Sequence, residues 1–273
     1  MKFKLATWNI NSVRPRLGLI ERFIKTYNPD VLCLQEIKCA NGSFPTKIFR
    51  SLGFDHIALN GQKAYHGVAT VSRLPIEQIE TRDFNGSGDA RHIAVRLKSP
   101  GADDIEVHNF YVPAGGDLPD EEKNPKFAQK LDYLRAMAKW CETQPDKKTS
   151  RMILVGDLNV APLETDVWSH KQLLKVVSHT PIEVDHIEGV RRAHDWIDVM
   201  RHHIPPEQKL FTWWSYRARD WRASNRGRRL DHIWVTPALG DTSLTLKVID
   251  EARDWEKPSD HVPVLALFDL GRR

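Results

Sequence analysis

Short apolar runs rich in β-branched and aromatic residues recur along the whole chain, and a stable fold must take them out of water. They are Lys4 to Trp8, Val31 to Leu34, Val68 to Val71, Ile93 to Leu97, Ile105 to Tyr111, Met152 to Val155, Leu230 to Val235 and Val262 to Phe268. Runs of this length and composition, bounded by turn residues, read as β-strands. Between some of them the spacing turns helical. Arg16 to Lys25 puts Leu17, Ile20 and Ile24 (or Phe23) on one stripe, and Phe127 to Trp140 does the same with Phe127, Leu131, Leu134 and Ala138. The first helix should stop at Asn28, because a residue before proline disfavours the helical region. Strands that alternate inward and outward call for a second sheet, and interspersed helices cover the outer faces. The expected fold is an α/β sandwich, a single domain over residues 1–273, and a hydrophobic content of 41% suffices for one core. Thr165 to Arg201 should be helical with few strands, while Asp117 to Pro125 and Thr143 to Ser150 read as polar connections.

Cys33, Cys39 and Cys141 are an odd set with no C-x-x-C pair, which argues against a disulfide scaffold or a structural zinc site. Cys33 lies in an apolar run and reads as a buried, inert thiol. The amino terminus runs straight into a strand without a secretory core, and no stretch approaches the ~20 apolar residues of a membrane helix. The expectation is a cytoplasmic protein with no membrane partner. A net charge of +4 leans weakly toward an anionic partner.

The strand signals share a second property: hydrogen-bonding groups stand beside them. Leu5 to Trp8 runs out into Asn9, with Asn11 two residues on. Val31 to Leu34 runs out into Gln35 and Glu36. His108 to Phe110 leads to Tyr111, and Met152 to Val155 leads to Gly156-Asp157-Leu158-Asn159. Leu230-Asp231-His232 and Ser259-Asp260-His261 each adjoin a later strand. In extended chain residues two apart face the same side, so Asn9 with Asn11, and Asp157 with Asn159, can serve one cleft.

Phosphodiester hydrolysis needs such a set. Carboxylates such as Glu36 and Asp260 suit a hard cation like Mg²⁺, which polarises a phosphoryl oxygen and stabilises the leaving alkoxide. Positioning and electrostatics supply most of the acceleration. His261 can act as base or as a phosphate-contacting cation, and a carboxylate such as Asp231 would fix its tautomer and raise its pKa. Asp157 is the rival group for orienting the attacking water, and Asn159 and Tyr111 can donate to the phosphate. Each residue alone has a plainer explanation as a solvated strand end, a turn or core packing. Independent turns have no reason to repeat the pattern six times.

Asn9-Ile10-Asn11, Leu34-Gln35-Glu36-Ile37-Lys38, Tyr111-Val112-Pro113, Gly156-Asp157-Leu158-Asn159-Val160-Ala161-Pro162, Arg229-Leu230-Asp231-His232 and Ser259-Asp260-His261-Val262-Pro263 resemble the ordered motifs of the exonuclease III family. These are bacterial-type apurinic/apyrimidinic endonucleases of the endonuclease/exonuclease/phosphatase superfamily. The resemblance runs from about residue 4 to about 268. It implies a four-layered α/β/β/α sandwich of two packed mixed β-sheets flanked by helices. It also implies dependence on Mg²⁺ or Mn²⁺, cleavage 5′ to abasic sites, 3′→5′ exonuclease and 3′-end repair. The partner is double-stranded DNA with abasic sites or 3′ ends, and the enzyme is expected to act as a monomer. By position Glu36 resembles the principal metal ligand, with Asn9 and Asp260 close to the metal. Asp157 and Asn159 resemble the pair that aligns water and phosphate, Tyr111 the phosphate-contacting tyrosine, and Asp231 with His261 the catalytic dyad. Whether the histidine or the central aspartate takes the proton stays open.

Between Arg217 and Arg229 the chain carries Arg217, Arg219, Arg222, Arg226, Arg228 and Arg229 against the single acid Asp220, with Trp213, Trp214, Tyr216 and Trp221 before or among them. Arginines interleaved with aromatics can grip a backbone and stack on bases, and Trp221 can serve as a wedge. The plainer alternative is a solvated loop whose tryptophans belong to the core; Leu210 to Trp213 also reads as strand. The family resemblance places the DNA-contacting loop here, with Trp214 as a pocket wall and Asn11, Asn225 and Gly227 in the same pattern. Two positions depart from it. Ala114 stands where many relatives carry a polar DNA contact, and Arg228 lies near the place of a bulky aromatic in animal-type enzymes. Two rivals to a DNA-cleaving enzyme are a phosphatase or phospholipase of the same superfamily and a silent DNA-binding module.

Overall fold

A computed structural model of the protein describes residues 1–98 and 103–271. Its strands are β1 (Lys2–Asn9), β2 (Val31–Gln35), β3 (His56–Asn60), β4 (Val68–Ser72), β5 (Ile76–Glu80), β6 (His92–Leu97), β7 (Ile105–Tyr111), β8 (Met152–Asp157), β9 (Ile197–Asp198), β10 (Trp213–Trp214), β11 (Gly227–Arg228), β12 (Asp231–Val235), β13 (Ser243–Val248) and β14 (Val264–Asp269). The helices are α1 (Leu17–Tyr27), α2 (Thr46–Ser51), α3 (Pro125–Glu142), α4 (His170–Leu173), α5 (Pro181–Ala193), α6 (Val199–His203) and α7 (Trp221–Ser224). One six-stranded sheet runs β13-β14-β1-β2-β4-β3 and the other β5-β6-β7-β8-β12-β9, with β10 and β11 forming a separate ribbon. Each large sheet is mixed: β1 pairs β2 in parallel, β7 pairs β8 in parallel, and the other neighbours are antiparallel.

The two-residue period of each strand divides its side chains between two layers. Phe3 and Leu5, Val31 and Cys33, Ile153 and Val155, Ile233 and Val235, and Val264 and Ala266 meet in one core between the sheets. The alternate residues Ala6, Trp8, Leu32 and Leu34 turn outward against Ile20 and Phe23 of α1. On the far side Phe110, Leu154 and Trp234 pack on Tyr133, Leu134 and Met137 of α3 and on Ile187 and Val190 of α5. These layers make the α/β/β/α sandwich. Both long outer helices begin with proline at a position that needs no amide donor, α3 after Asn124 and α5 after a Thr180–Glu183 capping box.

The interior strands coincide with the apolar runs, while β3, β5 and β13 do not stand out in the sequence. They are outer strands with half-exposed faces, and His56–Asn60, Ile76–Glu80 and Ser243–Val248 mix polar residues into their pattern. The chain between 165 and 201 carries α4, α5 and the start of α6, joined by turns, with β9 as a short strand. The expected strand over Leu210 to Trp213 shrinks to Trp213–Trp214, because only those residues find a partner strand. Cys33 is buried, and burial pushes its thiol up to about 12.

A second correction concerns Arg229, which is 1% exposed and not part of a solvated basic loop. Its guanidinium grips Asp166 through Nε at 2.8 Å and Nη2 at 2.9 Å, and Asp198 through Nη1 at 2.6 Å. Arg201 also donates to Asp166. Burial alone would raise the Asp166 carboxyl, but the two guanidiniums outweigh it and hold the group below its ordinary 3.8. A depressed carboxyl stabilises the fold above its unfolded pKa, and that contribution fades as pH falls through the folded value. Asp166→Asn should therefore cost about 3 kcal/mol at pH 7, since it removes the carboxylate that Arg201 and buried Arg229 share and leaves Arg229 only its contact with Asp198. Denaturant melts at a series of pH values should show the deficit narrowing below about pH 4. A deficit that is constant with pH would remove the ion pair from the account.

Candidate active site

The topology brings one end of the inter-sheet core to a common edge. Parallel pairing points the carboxyl ends of β1 and β2, and of β7 and β8, the same way, and Asp231 at the start of antiparallel β12 lies opposite Asp157. The segment leading into β14, antiparallel to β1, delivers Asp260 and His261. Asn9, Tyr111 and Asp157 are the next inward positions after Thr7, Asn109 and Val155, and Asp231 precedes Ile233 in the same row. Below them runs a buried polar layer. Gln35 Nε2 donates to Asn109 Oδ1 at 2.7 Å and to Thr7 Oγ1 at 3.0 Å, while Asn109 Nδ2 donates to the carbonyls of Leu34 and Ala69.

Above this layer the polar groups interlock. Asn9 Nδ2 donates to Glu36 Oε1 at 2.9 Å and to Asp157 Oδ2 at 2.8 Å, joining carboxylates from opposite sheets. Tyr111 Oη donates to Glu36 Oε1 at 2.9 Å, and Lys38 Nζ lies 2.8 Å from Glu36 Oε2. Asn11 accepts from Lys38 Nζ at 2.6 Å and donates to Asp260 Oδ1 at 3.1 Å. Asp260 Oδ2 accepts from Trp213 Nε1 at 3.0 Å. His261 Nδ1 meets Asp231 Oδ2 at 2.8 Å, and its Nε2 stands 3.6 Å from Asp157 Oδ2. Asn159 donates its main-chain N–H to Asp157 Oδ1 at 3.0 Å and its side-chain amide to Asp157 Oδ2 at 3.2 Å.

Extended geometry does not pair Asn9 with Asn11 or Asp157 with Asn159. Asn11 (φ +46°), Glu36 (φ +51°), Lys38 (φ +51°) and Asn159 (φ +54°) lie in the left-handed region just past their strands. The chain turns there, and side-chain bonds to Asn9 and Asp157 do the joining. Such conformations in residues other than glycine cost energy and persist where the surroundings hold them. Gly156 is required for another reason: at φ +138°, a Cβ there would lie 1.9 Å from the Phe110 carbonyl oxygen.

The electrostatics are those of a site rich in negative charge. Burial, then Asp231 and Glu36, pushes Asp157 up to about 7, against the opposing pull of His261 and Asn9. Burial alone would lower the His261 imidazole, but Asp231 and Asp157 raise it to about 10. Burial also tends to raise Glu36, yet Lys38, Asn9 and His261 leave it below its ordinary value. Tyr111 is driven well up by burial and the neighbouring carboxylates, so it remains a hydrogen-bond donor.

Beside these groups opens a cleft of about 930 Å³. Glu36, Tyr111, Asp157, Asn159, Asp260 and His261 reach it from one side. Trp213, Trp214, Leu230 and Val176 give it apolar walls, with Arg217, Arg226 and Arg228 among them. Asn9 and Asp231 are fully buried beneath. Trp221 and Arg222 do not line the cleft: both bind the Asp254 carboxylate, and Trp221 packs edge-on against Trp214. Asn225 closes α7 in a left-handed conformation and accepts from Trp214 Nε1 at 3.1 Å, which fixes that wall.

The model of the Endonuclease/Exonuclease/phosphatase family matches residues 6–261. The chain belongs to this family. Exodeoxyribonuclease III of Haemophilus influenzae is 32% identical to it over 276 residues, covering 97% of this chain and 99% of that protein. An AP endonuclease from Archaeoglobus fulgidus matches its structure with a TM-score of 0.87 at 32% identity, covering 98% of this chain and 100% of the other. The 3′ phosphatase NExo from Neisseria, solved with a product DNA hairpin, matches with a TM-score of 0.85 at 28% identity, covering 98% and 99%.

A metal ion, on which the nucleases of this family depend, fits the residues present. Glu36 pairs with Lys38, and Asp157 and Asp231 with His261, and the carboxylates of Glu36, Asp157 and Asp260 that reach the cleft are oxygen donors suited to a hard cation. Asp231 Oδ1 is buried without a hydrogen-bond partner, another sign of excess negative charge.

Several contributors escaped the sequence reading. Lys38 was visible only as part of a motif. Gln35 and Asn109 carried a usable signal, since each is a polar residue at an inward position of an apolar strand. Ser259, which bonds the backbone of Asn9 and His261, was likewise visible only within a motif, and Thr212, which accepts from the Asp231 N–H, carried no signal.

In the metal-free protein the His261 ring should titrate near 10, followed by NMR of its carbon-bound protons. Asp231→Asn should bring it down toward or below 6.5, because burial then prevails. A parent ring already neutral at pH 7 would contradict the assigned pairing.

Proposed function

We propose that this protein is a Mg²⁺- or Mn²⁺-dependent DNA phosphodiesterase that cuts on the 5′ side of abasic sites, removes nucleotides 3′→5′ and clears blocked 3′ ends. The observation that carries the reading is the meeting of Glu36, Asp157, Asn159, Tyr111 and the Asp231–His261 pair beside a cleft walled by tryptophans and arginines. The names of its relatives support the same chemistry on DNA. The shared core between the two sheets supports one domain, and action as a monomer is part of the same proposal.

In this reading Glu36, with Asn9 and Asp260 nearby, would hold the metal. When bound, the ion polarises the phosphoryl oxygen and stabilises the leaving group. Asp157 and Asn159 align the attacking water; Asp157 takes its proton, or His261 Nε2 does where the imidazole is neutral. Asp231 keeps the imidazole in one tautomer through Nδ1. Tyr111, which stays protonated, donates to a phosphate oxygen. The apolar wall of Trp213, Trp214 and Leu230 accepts a sugar that has lost its base, while Arg217, Arg226 and Arg228 meet the backbone.

End-labelled duplexes carrying an abasic analogue, a recessed 3′ end or neither, assayed with and without chelator, test the proposal. Cleavage of the first two should require the divalent cation. Glu36→Ala, Asp157→Asn and His261→Ala should each lose several orders of magnitude in turnover with an unchanged circular dichroism spectrum. Near-normal turnover in any of them would take that residue out of the site.

The arginines separate in a second prediction. Removing both Arg217 and Arg226 should reduce the slope of log binding constant against log salt by roughly 2, since each phosphate contact contributes about 0.9. Removing Arg222 should change it less, because Asp254 already neutralises that side chain. Equal effects would show that the loop rearranges on DNA.

A further inference from the structure

Behind the cleft floor lies an ion pair that the chemistry above does not use. Lys130 of α3 and Glu183 of α5 are both fully buried and joined through Nζ and Oε1. The remaining donors of the ammonium go to main-chain carbonyls, Asn159 at 2.8 Å and Ala114 at 3.3 Å. Glu183 accepts in turn from the Ser178 N–H at 2.9 Å, from the Thr180 N–H at 3.2 Å and from the Thr180 hydroxyl at 2.6 Å. Ser178 Oγ then accepts from Arg228 Nη1 at 2.7 Å. One buried pair thus joins the backbone of Asn159, the loop after Tyr111, and the cleft wall at Ser178 and Arg228.

Stability is a weak reason for such a pair. Taking two charges out of water costs about as much as their attraction returns, and well-packed apolar residues often serve as well. Phe127, Leu131 and Val177 form an apolar cluster in the same helix and wall. What the pair supplies is direction. Asn159 holds a left-handed backbone, with its N–H on Asp157 and its carbonyl on Lys130. The loop is packed close as well: a Cβ on Gly115 would come 2.9 Å from Lys130 Cδ.

We infer that Lys130 is a positioning residue for phosphodiester hydrolysis. Neutralised by Glu183, it fixes Asn159 against Asp157 and sets the spacing between the reacting phosphate and the Ser178–Arg228 wall. It touches no substrate and acts through the main chain of Asn159. The inference deepens the phosphodiesterase reading and rests on it.

The test is a kinetic cycle with K130M/E183Q, which removes both charges together and keeps an amide at 183 to accept from Ser178. Steady-state rates are measured on a duplex with an abasic analogue, in the parent and in an Asn159→Ala background. In the parent background kcat should fall at least about tenfold with KM within about threefold, as expected for lost orientation. In the Asn159→Ala background the same change should cost less than about twofold, because coupled residues do not add. Equal losses in both backgrounds, or an unchanged kcat, would overturn the inference. Should K130M/E183Q melt below the assay temperature, K130M alone, which removes the clamp and leaves Glu183 its bonds from Ser178 and Thr180, enters the same cycle under the same criteria. Amide hydrogen exchange at Asn159 supplies a readout independent of activity, and it should speed up about tenfold or more when the carbonyl clamp is lost. Unchanged exchange counts against the inference, whereas a parent enzyme that cleaves no duplex counts against the phosphodiesterase reading.

Discussion

The hydrogen bond between Gln35 and Asn109 joins the two sheets at the level where their apolar core stops. Below it the inward positions are mostly valine, isoleucine, leucine and phenylalanine; above it they are asparagine, tyrosine and aspartate. Both amides are fully buried, and the bond gives each a partner from the facing sheet, with Gln35 Oε1 alone left unpaired in the two amides. A buried polar group without a partner is costly, so this contact restricts how the sheets can slide over each other. The carboxylates above it inherit that register. Glu36 follows Gln35 directly, and Asp157 stands in the row beside Tyr111.

The interior of the fold was legible because a strand buried on both faces must be apolar along its length. β2 and β8 show it plainly, apolar up to the residues that enter the site. Outer strands such as β5 and β13 face water in part, and their mixed sequences hide them. The site residues were legible as a repeated pattern, polar groups at the ends of apolar runs, and family resemblance gave that pattern roles. The turns were not. Extended geometry was a poor guide past the strand ends, where Asn11, Glu36 and Asn159 adopt left-handed backbones. Those turns depend on hydrogen bonds between segments more than a hundred residues apart in places, as Asn9 to Asp157 shows. No local pattern encodes such a bond.

The arginine-rich stretch shows how one composition serves several ends. Arg229 is a buried strut between Asp166 and Asp198, Arg222 is neutralised by Asp254, and Arg217, Arg226 and Arg228 reach the cleft. Charge counting alone cannot separate them, because the distinguishing carboxylates lie far away in sequence. The aromatic residues divide likewise. Trp213 and Trp214 are packed and also line the cleft, one bonding Asp260 and the other held by Asn225. The choice between core tryptophan and pocket wall was therefore a false one.

Central to the proposed function is a divalent cation held at Glu36 in a cleft rich in carboxylates. Diffraction at the manganese absorption edge from crystals grown with Mn²⁺ measures this directly. The account predicts an anomalous peak bonded to the Glu36 carboxylate and facing the cleft, lost in Glu36→Gln. A cleft without a peak in the parent, or an ion that stays bound after Glu36→Gln, would contradict it.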